Sequence, residues 1–217
     1  MRTVRAVLIG LVALVCLAAP VRAEPCCGPI TPDGEKLRAF LDDSDVLHRW
    51  LAGQHIIWDT GELDPTRPAG SPNAATHCSA FAAAMAMRLG IYVLRPPDHS
   101  QALLANAQMR WLGEHGTEQG WQELPSYVAA QEAANRGDLV LEAFENPDRH
   151  RPGHIAIVRP SLKDRELLDA HGPEEAQAGG HNALSTTTKH GFANHPGAWI
   201  PGGGGAIRYY AHTVTWP

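Results

Sequence analysis

The chain has no Cys-x-x-Cys pair, no His-Glu-x-x-His motif and no glycine-rich loop running into Lys-Ser or Lys-Thr. Those absences remove zinc-finger, metalloprotease-helix and phosphate-loop chemistry from consideration. The run Gly202 to Gly205 lacks both the lysine and a following helix, and reads as a flexible connector. Basic residues are also scarce: 18 Lys and Arg stand against 23 Asp and Glu, a net charge of −5. With no basic stripe, nucleic acid is excluded as the expected partner, and so is tight electrostatic docking on anionic membranes. There is no internal repeat, no low-complexity domain and no second apolar run to match the one at the N-terminus.

What is abundant is histidine, 12 in all. His150 and His154 have the separation of metal ligands, with Cys78, Asp169 and His171 as further donors. Pro152-Gly153 between them prevents one helix face from presenting both rings. Neither a metal nor a cofactor is expected. The six tryptophans are scattered, and read as core or as walls of a cleft for sugars or peptides.

Arg2 and Arg5 precede the apolar stretch Ala6 to Pro20, and Val21-Arg22-Ala23 supplies a small-residue cleavage pattern. Residues 1–23 therefore read as a cleaved export signal, with a periplasmic or extracellular destination. The stretch is too short to span a bilayer, and Leu14-Val15 before Cys16 lacks the small residues of a lipid-attachment site. No membrane anchor is expected after cleavage. Cleavage removes Arg2, Arg5 and Arg22 and no acid, leaving 15 basic residues, 23 acidic and a charge of −8. Residues 24–33 form a flexible lead-in, and residues 34–217 a single domain. Three cysteines remain, Cys26, Cys27 and Cys78. An odd number leaves one thiol free: Cys26 pairs with Cys27, or one of them pairs with Cys78 or with another chain.

Apolar periodicity predicts a helix over Glu35 to Ala52, open to interruption at Asp42 to Asp45, and a second over Cys78 to Leu89. Thr76 or His77 caps the second, and Gly90 ends it. Two more helices are expected near Ser100 to Leu112 and Leu124 to Asn135, and a loop over Gly61 to Asn73. Ile91 to Leu94 is short and apolar, ended by Pro96-Pro97, and short strands are expected at Leu139 to Phe144, His154 to Val158, Glu166 to Asp169 and Ala206 to Thr213. Helices first and strands later give an α+β class, with helices packed on an antiparallel sheet.

Two segments carry the chemistry. Thr76-His77-Cys78-Ser79 places a cysteine at a helix start, where unpaired N–H groups and the helix dipole favour thiolate. Gly153-His154-Ile155-Ala156-Ile157-Val158 places a histidine at the head of an apolar strand, with a reference pKa suited to proton transfer. A nucleophile and its base on separate elements make a covalent-catalysis pair.

The ordered pair resembles the papain-like superfamily of bacterial cell-wall amidases, the NlpC/P60 and CHAP group. There, a cysteine opens a helix and a histidine begins a strand of the Gly-His-Ile-Ala-Ile type. The resemblance spans about Thr76 to Asn182, and His77 replaces the usual Asp or Asn before the cysteine. It implies a papain-like single domain and hydrolysis of an amide bond through an acyl-enzyme. The implied substrate is a peptidoglycan stem peptide or another peptide. It also implies a third polar residue to orient the imidazole. Gln177 is favoured by pattern, with Asp169 as the alternative and Asn182 and His171 as further candidates. The Cys78 N–H would form part of an oxyanion hole, with His77 or Gln54 as the imaginable second donor. The competing reading is a non-catalytic exported domain of the same fold that binds the cell wall or a partner.

Overall fold

A computed structural model describes residues 25–67 and 75–216. The expected export signal at 1–23 lies outside the described residues, as do residue 24 of the lead-in and the later part of the loop expected over 61–73. Helix α1, Pro32–Asp42, starts where Thr31 accepts a hydrogen bond from the Gly34 N–H at 3.1 Å. Pro32 occupies its first turn, where the missing N–H is no loss. The helix stops at Asp42 instead of reaching Ala52. Asp45 and Trp50 in the turns beyond adopt left-handed backbone conformations that no helix could continue.

Helix α2, Cys78–Arg88, is buried from Cys78 through Ala86. Its alanines keep helix propensity high and its girth small. Gly90, at φ 73°, turns the chain away after Leu89. The apolar segment 91–94 lies outside the sheet. Its carbonyls take side-chain donors in place of a neighbouring strand. Gln108 Nε2 donates to Leu94 O at 2.9 Å, and Trp121 Nε1 donates to Tyr92 O at 2.7 Å. Helix α3, Leu104–His115, carries Gln108, which also donates to Ser79 O at 3.0 Å and so ties α3 to the first turn of α2. Strand β1, Gln122–Leu124, leads into helix α4, Tyr127–Arg136, capped by Ser126 and closed by Gly137 at φ 101°.

The remaining strands are β2 (Leu139–Phe144), β3 (His154–Val158), β4 (Glu174–Gln177), β5 (Ala183–Thr187) and β6 (Arg208–His212). Two short helices interleave with them: α5, Arg165–His171, and α6, Thr188–Gly191. The six strands form one antiparallel sheet in the order β1-β6-β2-β3-β4-β5. The architecture is α+β. Every residue of β2 and β3 is buried, so both faces of the central sheet are covered. Helix α2 packs on β3, α3 on β2, and α4 on β2 and β6. Trp50 and Trp121 are buried, and the other four tryptophans pack against the same core.

The strand expected over Glu166 to Asp169 is instead part of α5. Asp164 caps it by accepting from Leu167 N–H at 2.8 Å, Arg165 pairs with Asp169 one turn on at 2.6 Å, and Gly172 ends it. Start and stop residues outweigh a two-residue apolar run here.

Cys26 and Cys27 are bonded to each other, and Cys78 is the free thiol among the described residues. The segment bearing the pair is tied down through Asn135, which is almost fully buried. Its Nδ2 donates to the carbonyls of Cys27, Gly28 and Ser161 at 3.3, 3.2 and 3.0 Å, and its Oδ1 accepts from Ser161 N–H at 2.9 Å. Replacing Asn135 with Ala orphans several of these groups at once. The expected loss is about 3 kcal/mol of unfolding free energy, measured by denaturant titration.

Candidate active site

Register and strand alternation put Phe144, Glu142, His154, Glu175 and Gln177 on one face of the sheet. At the head of β3, His154 is 4 % exposed. Its Nε2 lies 2.6 Å from Gln177 Oε1. The orientation of the Gln177 amide is fixed independently, because its Nε2 donates to His181 O at 3.1 Å. Oε1 therefore faces the imidazole, and His154 Nε2 carries the proton. Neutral His154 thus has its basic lone pair on Nδ1, which makes no hydrogen bond among the described residues.

Packing fixes the ring further. Phe192 presents its edge at 4.7 Å between centroids, and the His195 ring stacks on His154 at 5.3 Å with 15° between planes. His195 in turn sits 5.6 Å from Phe144. The segment carrying Phe192 and His195 is a wall of the site that the sequence motifs did not mark. Burial is the main reason the His154 pKa falls, to about 4, with His195 repelling the charged form and Gln177 partly offsetting both.

Cys78 opens α2 and is 5 % exposed. The backbone amides of Ile155, Ser79 and Cys78 itself lie near enough to its sulfur to favour thiolate. The Ile155 amide places the sulfur against β3, one residue along from His154. The three amides favour thiolate, as expected of a helix start, but burial is larger and pushes the thiol pKa up. Burial therefore favours neutral thiol and neutral imidazole, against the thiolate expected from the helix dipole alone.

Of the other candidates, Asp169 is on α5, where its carboxylate takes the Tyr127 hydroxyl at 2.5 Å and Arg165 Nε at 2.6 Å. Those bonds hold its pKa down and keep it away from the imidazole. Asn182 clamps two loops: its Nδ2 donates to Val46 O at 2.6 Å and Arg49 O at 2.7 Å, and its Oδ1 accepts from Gly179 N–H at 3.1 Å. His171 ends α5. His77 is the residue before α2, yet it forms no side-chain cap. Its Nε2–H donates to the Gln54 carbonyl at 2.8 Å, which commits the ring to the backbone and removes it as an oxyanion donor. The Gln54 Oε1 is buried without a partner. His150, the other histidine of the metal-like spacing, is exposed while His154 is buried. A cavity of about 260 Å³ opens beside the α2 N-terminus, lined by His55, Asp64, Arg67, Thr76, His77 and Gln101 among others.

Two measurements follow from these environments. Keeping His154 neutral contributes stability that is complete above pH ~6.5, the ordinary histidine value, and is lost as pH falls through about 4. Relative to His154→Gln, the wild type should lose on the order of 3 kcal/mol more across that window in denaturant titrations taken at each pH. Iodoacetamide should label Cys78 slowly in the folded protein at pH 7 and faster as pH rises, read by intact mass; rapid labelling at neutral pH would contradict the raised thiol. A scan against protein-family models finds no match for this chain, and no curated protein matches it.

Proposed function

We propose that the chain is an exported cysteine hydrolase of papain-like, NlpC/P60-type fold that cleaves an amide bond in peptidoglycan stem peptides. The observation that carries this reading is the 2.6 Å bond from His154 Nε2 to Gln177 Oε1, with the Cys78 sulfur held at the next residue of the same strand. A side-chain acceptor on the ring nitrogen that would not meet the nucleophile fixes the tautomer a general base requires.

In this mechanism both groups start neutral. A substrate carbonyl carbon is placed at the Cys78 sulfur. As the S–C bond forms, the thiol proton passes to His154 Nδ1, and the carbonyl oxygen gains the negative charge. The Cys78 N–H donates to that oxygen from the helix start. Gln177 accepts the Nε2–H throughout and orients the imidazolium, but as a neutral dipole it adds no full counter-charge. The imidazolium returns its proton to the departing amine as the C–N bond breaks. His154 then takes a proton from water, which attacks the thioester and releases the acid and the thiol. The cavity beside Thr76 and His77 offers polar walls for the peptide on the nucleophile's side.

One observation favours the second reading, a non-catalytic wall- or partner-binding domain on the same fold. Cys78 and His154 are both almost fully buried, and neither carries charge at rest. The two readings separate on muropeptide digests analysed by mass spectrometry. The hydrolase reading expects turnover by the wild type, and losses on the order of 10³-fold or more for Cys78→Ala and for His154→Ala. Gln177→Ala should cost less than removing the base itself. Muropeptide binding without turnover by the wild type would sink the hydrolase and leave the binding domain.

A further inference from the structure

Beside His154 and Gln177, on the same sheet face, lies a second pair of polar side chains. Glu142 on β2 and Glu175 on β4 flank β3, and both are 0 % exposed. Their carboxyl groups face each other across β3 and each perturbs the other's titration. Thr188 Oγ1 on α6 donates to Glu142 Oε2 at 2.8 Å. Apart from each other, Glu142 Oε1 and both oxygens of Glu175 meet no donor among the described residues.

The charged and titratable groups around the pair give it no direct counter-ion. Lys163, before α5, is committed to Glu174 Oε2 at 2.9 Å and to Gly172 O at 2.9 Å. Glu174, next along β4, adds negative charge. Tyr209 on β6 sits opposite Glu142 in the register, and its hydroxyl is held well above the ordinary range by burial and by the two carboxyls. His154 shares the face from β3.

Two ionised carboxylates are acceptors only and cannot hydrogen-bond each other. In a dry core two such charges would also repel with nothing to offset them. Two carboxyls buried on one face, with three oxygens lacking any donor among the described residues, therefore demand a proton. We propose that Glu142 and Glu175 hold one proton between them, and that this shared proton keeps Gln177 set against His154. The link runs through Gly191 at the end of α6. A Cβ there would lie 1.7 Å from Glu175 Oε1 and 3.0 Å from Gln177 Oε1, so the Gly191 backbone rests on both side chains. The next residue, Phe192, supplies the ring edge that meets His154. Loss of the proton drives the carboxyls apart into Gly191 and Gln177, and the acceptor for His154 moves. Burial raises both carboxyl pKa values, Glu175 the more strongly. The pair acts by positioning, and the inference stands whether or not the chain is a hydrolase.

Three readouts test it on the mature wild-type protein and on Glu175→Gln, whose amide supplies a permanent donor to Glu142. Infrared spectra of the wild type at pH 7 should show a protonated buried carboxyl band that Glu175→Gln lacks. The unfolding constant of the wild type should rise about tenfold per pH unit between pH ~6.5, above the His154 window, and the titration of the pair, because the folded state there holds one more proton than the unfolded. That slope should vanish in Glu175→Gln. The His154 ring resonances should shift at that same alkaline titration in the wild type and not in the variant. Absence of a protonated carboxyl at pH 7 in the wild type overturns the proposal, as does a tightly bound cation in native mass spectra. A His154 shift that persists unchanged in Glu175→Gln also overturns it. If the variant does not fold, the wild-type infrared band decides alone.

Discussion

The packing of α2 against β3 is the constraint on which the rest depends. Helix α2 is buried over nine successive residues, Cys78 to Ala86, and has no solvent face over that length. Such a helix has to be enclosed on every side. Here β3 meets it from below, α3 ties to its first turn through Gln108, and Trp50 packs edge-on against Phe81 at 5.3 Å. Alanine at five of the nine positions allows the close approach that puts the sulfur of Cys78 within reach of a β3 amide. The same enclosure decides the electrostatics. It dries the thiol and the imidazole together, and desolvation outweighs the amides and the Gln177 acceptor that favour their charged forms. A site of this kind rests uncharged, and charge separates only as a bond forms.

Much of the scaffold was legible because strong local signals agreed with burial. The alanine run of α2 ends at glycine, and β2, β3 and β6 lie within a residue or two of their apolar segments. The α+β class follows from those elements alone. The failures have physical causes. Residues 166–169 looked extended because Leu167 and Leu168 are adjacent, yet Asp164 and Gly172 bracket a helix. Strand β4 carries Glu174 and Glu175 side by side, and nothing in that pattern announces a buried strand.

At the candidate site, local pattern placed Cys78 and His154 on the elements they occupy, and pointed to Gln177, which meets the imidazole. The family pattern favoured Gln177 over Asp169 and Asn182, but residue type alone could not separate them, because all three are polar residues downstream of β3. Only the fold separates them: one reaches the ring, one pairs with Arg165 and Tyr127, and one clamps loops. Phe192 and His195 escaped notice because their role depends on a long connection after α6 folding back over β3. The Glu142–Glu175 contact joins residues 33 positions apart across an intervening strand, a separation no local pattern reports.

The order of strands has a consequence for how this chain reaches its native state. Strand β6 comes last in sequence, yet it lies between β1 and β2 and pairs with both. Until residues 208–212 are available, β2 has an unpaired edge and β1 has no neighbour in the sheet. A chain emerging from its N-terminus therefore cannot close its sheet early, and its most apolar strand stays open as a docking edge for other chains. Holding the polypeptide unfolded until its final segment arrives is, for this topology, the safer route to a soluble product.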